Sequence, residues 1–335
     1  MEKKKINIVD TTLRDGSHAV SHSFSPEQVA AIAGGLDKVG VSIIECAHGD
    51  GITGSTFNYG FSKYKEMDLI KSASSAIKNG RECILLIPGI GTIEDMEEAY
   101  ENGARVVRVA THCTEADVGI QHIKAAKKMG MMAVGFLMMI HMASPEKLLE
   151  QAKIFEAAGA DYINLADSAG YLLPEDVKER IKTVVEGINI PVGFHAHNNL
   201  SLAIANSIAA VEVGATYVDA TCRGLGAGAG NAQLEVLVAV LNRMGYDTGI
   251  DLYGVMDVAE EIVEPIMQRP QIIKSAPLML GYAGVYSSFL LHTYKAAERF
   301  DLNPRDILVE LGKRRMVGGQ EDMIVDVAYQ LSLKK

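Results

Sequence analysis

The sequence predicts a (β/α)8 TIM barrel followed by a helical C-terminal unit. Three observations predict it. First, a helix-like stretch that ends in glycine and runs straight into a short apolar segment recurs around Gly40, Gly80, Gly103, Gly130, Gly159 and Gly214. Glycine just past a helix is the residue that turns the chain sharply into a strand. Second, the strand-like runs number eight and are almost continuously apolar, as parallel strands covered on both faces must be. Third, the polar residues with chemical potential gather after these runs, on what would be one rim.

The runs fall at 6–10, 42–46, 83–87, 105–110, 132–140, 162–166, 191–195 and 217–221, each followed by ten or more residues of helical character. Their number and spacing match the barrel. A doubly wound sheet is the competing fold, but the first turn, Thr12-Leu13-Arg14-Asp15-Gly16, lacks its glycine-rich phosphate fingerprint. Beyond about Asp251 the strand signal stops. Stretches 252–267, 285–300, 304–311 and 319–331 look helical, Asn303-Pro304-Arg305-Asp306 reads as a helix start, and Arg269-Pro270 and Ala276-Pro277 read as breaks. The expected division is a catalytic barrel over 1–250 and a helical unit over 251–335, packed on the barrel or extended toward a partner.

Composition narrows the function. Of 335 residues, 48% are hydrophobic and 22% charged, enough apolar matter for a packed core. The net charge of -10 argues against a nucleic-acid surface and permits an anionic substrate only through a locally positive pocket. The four cysteines are far apart and form no CxxC pair, which points to buried free thiols in a reducing compartment. The apolar stretch 6–9 is too short for a signal peptide and 131–140 too short to span a bilayer, so a soluble, cytoplasmic chain is expected.

His195 and His197 end the seventh run. Residues two apart on a strand share a face, so both imidazoles aim at one point. Asp15, from the loop after the first run, is the best-placed carboxylate to complete a set of two histidines and one carboxylate, which suits Mn2+, Mg2+, Fe2+, Co2+ or Zn2+. Read alone, an HxH is equally an ordinary polar strand end. Arg14 can clamp a substrate carboxylate or stabilise an enolate. His18 is not needed as a ligand and is left as a base; imidazole ordinarily titrates near about 6.5, suited to proton transfer. Asp167-Ser168 is either a turn or part of the site. The run from Gly224 to Asn231 fits no dinucleotide motif and reads as backbone brought close over a pocket. His22, His112, His122 and His292 read as structural, with His48 and His141 undecided.

Thr12-Leu13-Arg14-Asp15-Gly16 followed by His195-Ala196-His197-Asn198-Asn199 resembles the metal-dependent aldolase and acyl-lyase superfamily of TIM barrels. Finer motifs resemble its 4-hydroxy-2-oxovalerate aldolase family. These are Cys46-Ala47-His48-Gly49-Asp50-Gly51, Phe57-Asn58-Tyr59-Gly60, Leu86-Ile87-Pro88-Gly89-Ile90-Gly91-Thr92 and Gly284-Val285-Tyr286-Ser287-Ser288-Phe289. The resemblance covers nearly the whole chain. Ser17-His18 stand where the synthases carry Glu-Gln, and 224–231 lacks the cysteine of the CoA lyases. Departures at Val20-Ser21-His22-Ser23 and Ile140-His141 bear on the aldehyde rather than the chemistry.

The resemblance implies retro-aldol cleavage of a 4-hydroxy-2-oxoacid, 4-hydroxy-2-oxopentanoate, to pyruvate and acetaldehyde. It implies Asp15, His195 and His197 as Mn2+ ligands (Co2+ or Mg2+ being alternatives), His18 as base and Arg14 as transition-state stabiliser. Ser168 and Tyr286 would contact substrate beside Arg14, Asp15 and His195, so the helical unit would reach back over the barrel mouth. It further implies an acylating acetaldehyde dehydrogenase as partner, in an oligomer. The rival activities are an acetyl-CoA-dependent condensation of the isopropylmalate synthase type and a non-catalytic, metal-stabilised binding subunit. No lysine lies inside or at the C-terminal end of the eight runs to offer a Schiff base.

Overall fold

The computed structural model describes residues 4–334. They form a closed barrel of eight parallel strands in sequence order: β1 (Asn7–Leu13), β2 (Ile43–Cys46), β3 (Arg81–Leu86), β4 (Val106–His112), β5 (Met132–Met138), β6 (Tyr162–Asp167), β7 (Val192–Ala196) and β8 (Tyr217–Ala220). The helices packed around it are α1 (Pro26–Lys38), α2 (Glu66–Ala76), α3 (Ile93–Glu101), α4 (Ile120–Met129), α5 (Pro145–Ala158), α6 (Pro174–Gly187), α7 (Ala203–Glu212) and α8 (Leu234–Arg243). Five of the six glycines that suggested the repeat adopt a left-handed backbone. Gly80 does not: a Cβ there would lie 2.9 Å from the Val41 carbonyl oxygen, so it is glycine for close approach.

Period-2 alternation sorts the inward side chains into layers. The lowest is apolar, with Ile43, Cys83, Val106, Val134 and Tyr162. The next positions along β2, β4 and β8 are Glu45, Arg108 and Asp219, all buried. Above them Leu85, Ala110, Phe136 and Ala166 pack together below the mouth. The barrel therefore holds an ionic layer between two apolar ones.

Three strands end two or more residues from the predicted position, β4 running on to His112 rather than 110. β1 runs on to Leu13 because its register shifts between Asp10 and Leu13. The Asp10 carboxylate accepts the Thr12 N–H (2.9 Å) and hydroxyl (2.8 Å), and the Thr12 hydroxyl oxygen accepts the Cys222 N–H (2.8 Å). This bulge re-aims the strand just before Arg14 and Asp15. β5 stops at Met138 rather than 140, because Met139 turns left-handed (φ 57°).

Residues 252–266, which the expected boundary assigns to the helical unit, form one continuous stretch: α9 (Leu252–Asp257), a π turn (Val258–Val263) and a 3-10 turn (Glu264–Ile266). Val255, Val258, Ala259 and Val263 share the barrel's main core. The remaining helices are α10 (Ser275–Ala283), α11 (Leu290–Phe300), α12 (Pro304–Lys313) and α13 (Met323–Ser332). They enclose a separate core around Leu280, Phe289, Leu308, Leu311, Ile324 and Val327. Ala276-Pro277 is no break: Pro277 sits in the first turn of α10, where a missing N–H is tolerated. All four cysteines are buried and free. Among the described residues, no helix is long and apolar enough to cross a membrane.

Candidate functional site

The strand ends carry their polar side chains into one cavity of about 440 Å³, counted to its open mouth, whose wall includes Arg14, Asp15, His18, Ser168, His195, His197 and Tyr286. Every sequence-predicted site residue is thus brought together, although Asp15 and His195 are 180 positions apart.

Asp15 is the meeting point. Its Oδ2 lies 3.4 Å from His195 Nε2, 3.5 Å from His197 Nε2 and 3.0 Å from Arg14 Nη1. Its Oδ1 accepts the Ala227 N–H at 3.0 Å, so the glycine-rich loop serves this site through its backbone. Burial works against the Asp15 charge, yet Arg14, then His197 and His195, hold the carboxyl well below its ordinary range.

His195 is held from behind. Its Nδ1 donates to Asp219 Oδ2 at 2.9 Å, which leaves Nε2 as a lone pair aimed at the cavity when the ring is neutral. Burial opposes its charge, but Asp15 and Asp219 on its two nitrogens lift its pKa above the usual value. His197 is pushed down to about 4, chiefly by burial, which keeps it neutral and available as a donor of its lone pair. Behind them an ionic ring closes. Asp219 pairs with Arg108, which lies 3.3 Å from Glu45 Oε2, and Arg14 Nε reaches the same oxygen at 2.7 Å. The ring returns to Asp15 through Arg14 and to His195 through Asp219. The Arg108 guanidinium also lies 4.5 Å from the centroid of the Phe136 ring.

This set fits a divalent cation. One carboxylate oxygen and two imidazole nitrogens, all buried, lie within 4.8 Å of one another. The ring brings three carboxylates against two guanidiniums, a balance of fixed charge that suits a cation beside Asp15, His195 and His197. The Oδ1 of Asn231, backbone-paired to His197, is buried with no hydrogen-bond partner among the described residues.

The opposite wall is built from imidazoles. His18 lies in a 3-10 turn (Asp15–Val20) with its ring flat against Gly49, where an added Cβ would fall 2.3 Å from Nε2. His22, read from sequence as structural, does belong to a constellation. Its ring stacks on His48 at 3.8 Å and stands edge-on to His18 at 4.9 Å. Burial pushes His22 down to about 2 and His48 to about 4, with His18 adding to both shifts.

Ser168 Oγ accepts the Met139 N–H at 3.1 Å. The Asp167 carboxylate instead holds the following turn, through the N–H groups of Tyr171 and Leu172 (both 3.0 Å). The helical unit closes over the mouth. Ser287 donates to the Ser168 carbonyl (2.9 Å), His141 Nε2 donates to the Gly284 carbonyl (3.1 Å), and Tyr286 stands in the wall with its hydroxyl 3.8 Å from Met138 sulfur. His141, undecided from sequence, is thus a link between the two units.

Sequence reasoning missed Arg108 and Asp219. Their signal was present, since each is a charge in the middle of a run otherwise apolar enough to be buried on both faces.

The fold and this donor set define a metal-site barrel, and comparison with known proteins agrees. The model of the family described as HMGL-like matches residues 5–262, and that of the DmpG-like communication domain matches 271–333. The chain belongs to the HMGL-like family, with a DmpG-like communication domain after the barrel. Among its relatives, the 4-hydroxy-2-oxovalerate aldolase of Moorella thermoacetica is 69% identical over 335 residues, 100% of this chain and 99% of that protein. The protein of the same name from Carboxydothermus hydrogenoformans is 63% identical over 98% of each chain. Among solved structures, the carboxyl transferase domain of Rhizobium etli pyruvate carboxylase superposes with a TM-score of 0.84 at 18% identity, over 99% of this chain and 61% of that one. At that identity the likeness concerns fold alone.

Proposed function

We propose that this chain cleaves 4-hydroxy-2-oxopentanoate, or a close 4-hydroxy-2-oxoacid, to pyruvate and an aldehyde, acetaldehyde for that substrate. Asp15, His195 and His197 hold the divalent cation, with Mn2+ as the preferred ion and Co2+ or Mg2+ as substitutes. The observation that carries this reading is the convergence of those three buried side chains beside an uncommitted imidazole, His18, in one cavity. Full-length relatives named for this activity support it.

When bound, the metal supplies Lewis-acid polarisation of the 2-oxo group. The protein's own residues do the rest. His18 removes the proton of the 4-hydroxyl. The C3–C4 bond breaks, its electron pair passes into the enolate of pyruvate, and the aldehyde leaves. Arg14 faces the developing enolate charge. Its Nε and Nη1 are pinned by Glu45, Asp15 and the Gly49 carbonyl, so its guanidinium is oriented before substrate arrives. Ser168 and Tyr286 border the substrate, and a proton delivered to C3 completes pyruvate. Among the described residues none that lines the cavity is a lysine, so they offer no amine for a Schiff base.

The communication domain supports docking of an acylating acetaldehyde dehydrogenase, which would receive a reactive aldehyde without its release; a cytoplasmic oligomer is proposed with it. In this arrangement residues 252–266 go with the barrel, and α10–α13 form the docking unit. The test is pyruvate and aldehyde release from a panel of 4-hydroxy-2-oxoacids, with and without added Mn2+. Metal-dependent release of both products is expected. Thiol release from acetyl-CoA with a 2-oxoacid, or no product from metal-loaded protein, overturns the reading.

A further inference from the structure

Asp50 follows the Gly49 on which His18 rests, and it is 4% exposed. Among the described residues its carboxylate accepts no hydrogen bond, and Oδ2 is sealed from solvent. A buried carboxylate without a donor costs several kcal/mol, about what mutational studies assign to an uncompensated charge. It also sits at a junction. Asp50 and Tyr286 wall both the site cavity and a second one of about 860 Å³, counted to its opening, that runs toward Tyr59, His112 and Glu321.

Two imidazoles face Oδ2. His48 Nδ1 is 3.7 Å away, but it already accepts the Asp50 N–H at 3.1 Å. Its Nε2 donates to the Gly60 carbonyl at 3.0 Å. His48 is therefore fixed as the neutral Nε2–H tautomer, and its lone pair, not a proton, points toward Asp50. His18 Nε2, 3.8 Å from Oδ2, is the remaining donor, just beyond hydrogen-bond reach.

The other charged or titratable groups acting on this pair are Arg14, Asp15 and Glu321 on Asp50, with the phenols of Tyr59 and Tyr286. His22, His48 and His197 act on the His18 side. Burial lifts the Asp50 carboxyl above its ordinary range, and a charge on His18 is the largest influence pulling it back.

We propose that Asp50 is the positioning residue of His18: its carboxylate takes the Nε2–H of the imidazole and holds the positive charge that His18 gains with the substrate's hydroxyl proton. This rests on His18 being the base. Asp50 exchanges no atom with the substrate. The 4-O–H bond breaks toward His18, the C3–C4 pair becomes the enolate, and C3 takes up one proton, so the sum stays balanced.

The test is a set of pH–rate profiles for wild type, Asp50→Asn, His18→Ala and the double variant, with bound metal measured in each. Asp50→Asn should lower kcat by about 10–100-fold with KM changed little. Removing the anion disfavours the imidazolium, so the acid limb should move to lower pH by about one unit. His18→Ala should abolish that limb, and Asp50→Asn should add no further loss in the His18→Ala background, with bound metal unchanged throughout. An unmoved limb in Asp50→Asn, or an equal loss in both backgrounds, overturns the proposal. A limb surviving His18→Ala instead defeats the assignment of the base. Should Asp50→Asn fail to fold, the 15N resonances of His18 in metal-free wild type decide: the neutral ring is expected as the Nε2–H tautomer, and Nδ1–H overturns the proposal.

Discussion

The two walls of the cavity are built on opposite plans. On the cation side, Asp15, Arg14, Glu45, Arg108, Asp219 and His195 form a closed ring in which each charge has a partner from another strand or loop. On the base side, His18, His22, His48 and Asp50 meet mainly through ring packing, and Asp50 Oδ2 lacks a hydrogen-bond partner among the described residues. Strands supply most of the first wall, whereas the 3-10 turn and the β2–α2 loop supply the second. Fixed geometry belongs where a cation must be gripped. An unsatisfied acceptor belongs where a charge appears only during turnover.

That contrast can be broken from either side. The largest effect is expected on the cation side. Asp15→Ala or His195→Ala should abolish both metal binding and metal-dependent pyruvate release, read by metal analysis and a pyruvate assay on folded protein; either variant retaining one bound metal breaks the comparison. His18→Ala should lower kcat by about 10²–10⁴-fold while metal content stays at the wild-type level. Metal lost from that variant would place His18 among the ligands. Asp219→Asn keeps an acceptor for His195 but removes the charge that faces Arg108. Metal affinity measured by competition with a chelator should weaken by about 10–100-fold.

The smallest effect separates the walls by pH. His48 is neutral in the fold down to about 4, because burial and its neighbour His18 disfavour its charge. An unfolded chain protonates that ring near about 6.5. The unfolded state therefore binds more protons between these values, and the stability from His48 is complete above the upper one and lost as pH falls toward the lower. Between about pH 7 and pH 5 the loss is about 2 kcal/mol. His48→Gln, which keeps a donor for the Gly60 carbonyl, should reduce the difference in denaturation midpoint between those two pH values. An unchanged difference would show that His48 is already charged in the fold.

Much of this molecule is legible from sequence for a physical reason. A glycine that must turn left-handed after a helix is a local event, so the repeat that reveals the barrel is written locally. His195 and His197 share a face by the two-residue period of a strand, and that too is local. What resists reading depends on distant register. Arg108 and Asp219 are 111 positions apart and meet only because a closed barrel brings β4 and β8 to one interior layer. His22 reads as idle because its partner His48 lies across a loop. Ala276-Pro277 reads as a break because proline in a helix's first turn and proline at a helix's end look alike in a sequence. The extension of β1 hangs on a side-chain knot between Asp10, Thr12 and Cys222 that no periodicity signals.

One titration addresses the central claim directly. Chelator-treated protein is titrated with Mn2+ while bound ion, by electron paramagnetic resonance, and pyruvate release from 4-hydroxy-2-oxopentanoate are followed on the same samples. One ion should bind per chain, and the two curves should superimpose from an origin of no activity. Pyruvate release at full rate before any ion is bound would contradict a cation gripped by Asp15, His195 and His197 as the seat of the reaction.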